Sequence, residues 1–209
     1  MKKTILLLAA LFACMSVYSK GEEKPARVRS SYFNLGFAES KLDQDDFGQM
    51  TSDWGAFFAV GKTFYLHKEP ILNLIKFGID ATWFDLTYAQ YKQEFLWRKG
   101  TFHHAEAAVH VGPSVTVTPL GGLSVNAYFR YAPTFSAIYS TTEDHYNLSY
   151  ATRFVCGATV SYKVIGVGVE TRFGMNNIDP LAAFYTGADG VDKVKTKLRG
   201  FRVFVTFRY

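Results

Sequence analysis

At 209 residues the chain makes one domain, or one domain with a short extension. Its aromatic share of 17% and its 17 glycines favour strands over helices. The net charge of +5 could serve nucleic acid, but the basic residues are scattered with no Lys/Arg-rich run, and that pattern excludes the clustered footprint such binding needs.

Residues 1–19 have the three parts of a secretory signal: Lys2 and Lys3 at the start, an apolar run from Ile5 to Ala13, and Val17-Tyr18-Ser19 before Lys20. The run is too short to cross a bilayer core of about 30 Å, which takes about 20 residues. A competing reading takes Leu11-Phe12-Ala13-Cys14 as a loose lipoprotein box with Cys14 acylated, although Phe12 fits that motif poorly. Removal of Cys14 leaves Cys156 as the single cysteine, on an apolar strand face, and excludes an internal disulfide. Residues 20–29 form a charged lead-in containing Pro25, and the domain proper runs from 30 to 209.

From about residue 30 the sequence alternates with the period of a strand. The first strand, about 30–41, sets Phe33, Leu35 and Phe37 against Asn34, Gly36, Ala38 and Ser40. The second, about 53–66, sets Trp54, Ala56, Phe58, Val60 and Phe64 against Gly55, Ala59, Gly61 and Thr63. The third, about 71–85, sets Ile75, Phe77, Ile79, Ala81 and Trp83 against Lys76, Gly78, Asp80 and Thr82, and residues 86–100 read as a long loop. In the fourth, about 101–118, Ala105, Ala107, Val109 and Val111 alternate with His104, Glu106, Ala108 and His110. The fifth, about 123–138, alternates Val125, Phe129 and Phe135 with Asn126, Tyr128 and Arg130, before a third loop from Tyr139 to Ser149. The sixth places Phe154, Cys156 and Val160 opposite Arg153, Thr159 and Ser161. The seventh alternates Val167, Val169 and Phe173 with Gly168, Glu170 and Arg172, and a long loop, about 175–198, follows.

The last nine residues carry the pattern most fully. Phe201, Val203, Val205, Phe207 and Tyr209 share one face, and Arg202, Thr206 and Arg208 the other. This stretch resembles the C-terminal strand of bacterial outer-membrane β-barrels. The resemblance implies that Phe207 and Tyr209 serve as an assembly signal read by the barrel-assembly machinery.

Short turns alternate with longer loops, as in a membrane barrel with tight turns at one end. No helix with a matching apolar stripe covers the apolar faces of eight strands, so lipid must, and then the sheet has to close. The expected fold is all-β: an eight-stranded antiparallel up-and-down transmembrane barrel. Its expected interior is a charge network of Lys76, Asp80, His104, Glu106, His110, Arg130, Arg153, Glu170, Arg172, Arg202 and Arg208. Aromatics toward the strand ends, among them Trp54, Trp83, Phe102, Tyr162 and Tyr209, read as interfacial girdles. A lipocalin-like soluble barrel with the faces exchanged is the alternative, since alternation alone does not tell inside from outside.

His103, His104, Glu106 and His110 invite a metal reading, but no second His- or Cys-rich strand completes a tetrahedron, and the interior network accounts for them. An anion pore is disfavoured because eight strands enclose only enough room for their own side chains. His145 with Ser149 or Ser140, beside Glu143 or Asp144, is the local group from which a lipid-modifying hydrolase could be built, and no recognised motif surrounds it. No cofactor or metal is therefore expected.

Over its mature length the chain resembles the small OmpA- and OmpX-type barrels in strand pattern, loop asymmetry and terminal aromatic. That resemblance implies a Gram-negative-type outer membrane, periplasmic termini, and contact with membrane lipid and lipopolysaccharide. It also implies a non-enzymatic interaction or structural role with an unidentified extracellular or envelope partner. A subunit of a larger envelope machine is the runner-up.

Overall fold

The computed structural model describes residues 28–44, 48–95, 98–141, 145–176 and 196–209. The signal and most of the lead-in expected in residues 1–29 fall outside them.

Among the described residues nine strands form one antiparallel sheet: β1 (Ser31–Gln44), β2 (Gly48–Thr51), β3 (Trp54–Tyr65), β4 (Ile75–Phe95), β5 (Arg98–Leu120), β6 (Leu123–Ser140), β7 (His145–Tyr162), β8 (Ile165–Asn176) and β9 (Thr196–Arg208). Short β2 pairs with β1. The other eight follow one another up and down, and β9 returns to β1 from Tyr32↔Arg208 to Asp43↔Lys197, closing the barrel. Closure leaves no sheet edge to face hydrocarbon. The fold is an eight-stranded antiparallel transmembrane-type barrel.

The faces settle which side is which. On β9, Arg202, Phe204, Thr206 and Arg208 are buried, while Phe201, Val203, Val205 and Phe207 are exposed. The same division holds on β1, where Phe37 is 76% exposed and Asn34 buried, and on β5, where Val109 and Val111 are exposed and Glu106 and His110 buried. A soluble barrel buries its apolar face. Here it is the outer one, a belt that only lipid can satisfy.

Two expectations about strand length need correction. The stretch 86–100 is not a loop, because β4 continues to Phe95 and β5 begins at Arg98. Likewise β6 runs to Ser140 and β7 starts at His145. The cause of the first error is a bulge in β4. Register shifts between Thr82 and Asp85, where Trp83 and Phe84 are both exposed. Past it the inward positions move from even to odd numbers: Asp85, Thr87, Ala89 and Tyr91 are buried. The alternation changes phase, and a reading that holds the phase constant ends the strand there. Phe102 is also corrected: at 2% exposure it lies inside the barrel and not in a girdle.

At the opposite end two of the three connections are tight, while β3 and β4 are joined by the longer stretch 66–74, not by the four-residue turn that His67 to Pro70 suggests. The β5–β6 turn is two residues, with Gly122 at φ 88°, and in the β7–β8 turn Lys163 sits at φ 55°. That end is the short-turn end below, and the other the loop end.

Candidate functional site

The barrel interior is the candidate site, and alternation places every member of it. From the short-turn end upward the polar groups fall into tiers. In the lowest, Arg208 Nη2 donates to Thr159 Oγ1 at 3.3 Å. Next comes Asp80, which accepts from Tyr32 Oη at 2.7 Å and from Thr63 Oγ1 at 2.8 Å. Arg130 Nε lies 2.9 Å from Asp80 Oδ1 as an ion pair, and the guanidinium rests 3.5 Å over the Tyr128 ring. Tyr128 in turn donates to Glu170 at 3.0 Å.

The middle tier centres on Arg202. Its guanidinium grips both oxygens of Asp85, at 2.7 and 2.9 Å, and Nη1 also donates to Glu170 at 2.7 Å. Nη2 bonds Thr87 as well, and the group covers the Phe57 ring at 4.0 Å. The planar fork of arginine allows one side chain to tie three strands in this way, which a lysine could not do. Above it Glu106 receives Arg153 on both oxygens and Arg172 Nη1 at 2.9 Å. Buried carboxylates need this company, since an unpaired charge in such an interior is costly.

The two histidines sit at the sides of these pairs. His104 Nε2 is 3.4 Å from Glu106, and His110 Nε2 is 3.7 Å from Asp85, both without an aligned hydrogen bond. Among the described residues no group of three or more His, Cys, Asp or Glu is placed to hold a metal ion.

Apolar side chains complete the filling. Phe204 meets Phe57 edge-on at 5.6 Å beside Ala38 and Ala59. Toward the loop end, Leu42, Ala89, Tyr91, Phe102, Ile138, Ala151 and Leu198 form an inward cluster above the charges.

Of the residues expected inside, Asp80, His104, Glu106, His110, Arg130, Arg153, Glu170, Arg172, Arg202 and Arg208 are all buried. Lys76 is the exception and a correction. Its Nζ donates to the Lys68 carbonyl at 2.9 Å and stands 5.2 Å over Tyr65, at the short-turn rim and apart from the ion pairs. Sequence reading missed Asp85, a main partner of Arg202, because the bulge hides its phase. The available signal was the renewed alternation of Asp85, Thr87 and Ala89 against Leu86, Tyr88 and Gln90. The side chains of His145 and Ser140 lie outside the described residues, while Ser149 faces Ser136 at 3.0 Å. Cys156 is exposed on the outer face.

Outside, a row of polar aromatics crosses four strands near the loop end. Trp54 packs at a tilt against Tyr88 at 5.2 Å and donates to Gln90 at 2.6 Å. Tyr88 bonds His103 Nδ1, and His103 stacks on Tyr139 at 6.3 Å. Such a row marks a membrane interface.

No family model and no curated protein matches the chain. Solved structures do. The attachment invasion locus protein Ail of Yersinia pestis is similar at 11% identity over 87% of this chain and 99% of that one, with a TM-score of 0.46. Neisserial surface protein A is similar at 11% identity over 86% and 97%, with a TM-score of 0.45. The outer membrane protein OprG of Pseudomonas aeruginosa is similar at 10% identity over 90% and 99%, with a TM-score of 0.40. The fold assignment rests on the closed register and the outward apolar face. This is a small outer-membrane-type barrel.

Proposed function

We propose that the protein is a non-enzymatic barrel of a Gram-negative-type outer membrane, with a plugged interior, that acts through the surface it raises above the membrane. The observation that carries this reading is the filled bore. Asp80, Asp85, Glu106 and Glu170 are each held by at least one guanidinium, and the cluster around Tyr91 and Phe102 lies across the loop end. A solute would have to break several buried ion pairs at once, at several kcal/mol each. The long hairpins support the second half. β4 and β5 have 21 and 23 residues, so at about 3.3 Å per residue they outreach an apolar band of about 25 Å even when tilted.

The termini would then be periplasmic, and the outer contacts would be lipid and lipopolysaccharide at the Trp54–Tyr139 row and an envelope or extracellular partner above it. Phe207 and Tyr209 would present the terminal strand to the barrel-assembly machinery. The test joins two measurements on the refolded protein. In planar bilayers we expect no steady conductance, and with purified lipid A or phospholipid no hydrolysis. A stable open channel, or hydrolysis abolished by His145→Ala, would overturn the reading. Pull-down from intact envelopes with and without the 92–101 hairpin tip identifies the partner.

A further inference from the structure

We propose that the short-turn end of the barrel interior binds one small inorganic anion on Arg208. Five guanidiniums are buried among the described residues (Arg130, Arg153, Arg172, Arg202 and Arg208) against four carboxylates, Asp80, Asp85, Glu106 and Glu170. Four of the five guanidiniums meet a carboxylate. Arg208 meets none: its Nη2 donates to the neutral hydroxyl of Thr159, its other close polar neighbour is the neutral Tyr65 hydroxyl, and its Nε and Nη1 have no acceptor among the described residues. The excess charge is therefore local.

Asp80, the carboxylate bonded to the Tyr32 hydroxyl beside Arg208, cannot supply the balance. Asp80 already serves Arg130, Tyr32 and Thr63. The Tyr32 ring stands 5.7 Å from both Arg130 and Arg208, so two cations flank one phenol with one carboxylate between them. Lys76 adds a third positive group at the rim, over the Tyr65 ring that neighbours Arg208. A guanidinium held at 3% exposure without a counter-charge is among the costliest arrangements a protein interior can contain. Moving Arg208 outward would place it in the apolar belt, as the strand alternation dictates. A mobile anion drawn from the short-turn side satisfies it at no cost to the fold. Hydroxyl donors stand close by: Thr159 on Arg208 itself, and Tyr65 with Thr116 at 3.4 Å. Small size is required, because Tyr32, Thr116, Asn126 and Thr206 crowd the same level as fully buried side chains.

The experiment uses the full-length barrel refolded in an uncharged detergent, in sodium gluconate at constant ionic strength. Chloride or inorganic phosphate replaces gluconate in the low millimolar range, where general salt effects are flat. Thermal unfolding is followed by the gel shift between folded and unfolded forms. We expect the folded-to-unfolded ratio to rise in proportion to at least one of the two anions once its Kd is passed. The rise should disappear in Arg208→Gln. Thr159→Glu, which places a carboxylate beside the guanidinium, should likewise make the midpoint indifferent to both anions while keeping the barrel folded. A wild-type midpoint that ignores both anions overturns the proposal, as does an undiminished response in Arg208→Gln. If Arg208→Gln does not fold, an undiminished response in Thr159→Glu overturns it instead.

Discussion

Single residues of this barrel report which solvent they face. Val109 is exposed on the outer face and His110, beside it, is buried. Val109→Arg puts a charge into the lipid belt and should cost about 2–4 kcal/mol near the midplane. Val109→Leu should be nearly silent, because lipid accommodates a volume change that a packed interior would resist. Glu106→Ala should cost about 3–5 kcal/mol by another route: it strands Arg153 and Arg172 together in the interior. Refolding titrations into lipid vesicles measure all three, and a silent Glu106→Ala beside a well-folded Val109→Arg would exclude the inside-out arrangement. Asp85→Ala should match Glu106→Ala in size, because Arg202 loses two of its hydrogen bonds. Residue identity showed most of these roles. It did not show Asp85, whose direction depends on a bulge two residues earlier.

At the scale of strands, the closing seam and the bulged strand matter most. Phe207 of β9 lies opposite Phe33 of β1 and Ile165 of β8, on the outer face on both sides. Phe207→Ser removes an aromatic contact across the seam, with Phe33 at 6.4 Å, and should lower the yield of inserted protein more than it shortens the lifetime of barrels already closed. Equal yields for variant and parent would reject this. Gly168 of β8 tests the inner face. A Cβ there would press on the ring of Phe204 and the methyl of Thr159. Gly168→Val should therefore destabilise by about 1–3 kcal/mol through overpacking. Adding Phe204→Ala should recover part of that loss in urea unfolding, and no recovery would mean that the glycine serves the backbone instead. The eight barrel strands were legible from period and turn residues, while their ends were not. Toward the loop end the outer face of β4 to β6 turns polar and aromatic, with Gln90, His103 and Tyr139, so the apolar alternation fades and pairing with a neighbour keeps the strands extended.

For the whole molecule, closure predicts kinetic resistance. With β9 paired to β1 there is no free edge from which to unravel the sheet. The protein should run faster unboiled than boiled on a denaturing gel, and should stay with the outer membrane through urea and carbonate washes. Recovery in a soluble fraction would count against both the location and the lipid-facing belt. The interior adds to the same property, since its ion pairs join β4, β5, β7, β8 and β9 across the bore and must all break together.

The sequence by itself determined that the chain forms antiparallel strands with one apolar and one polar face, because the period of two is written locally in each strand. It also determined most of the charges that share the polar face, but not Asp85, which the bulge turns inward. Only the tertiary structure decided that this face points inward, since a lipocalin-like barrel is built on the same alternation with the opposite curvature. Pairing across the bore was likewise beyond reach: Arg202 and Asp85 are 117 positions apart, and they meet because closure brings β9 and β4 to face one another. The unmatched guanidinium of Arg208 emerged for the same reason. A charge count along a chain shows a surplus, but only the folded interior shows where it is left.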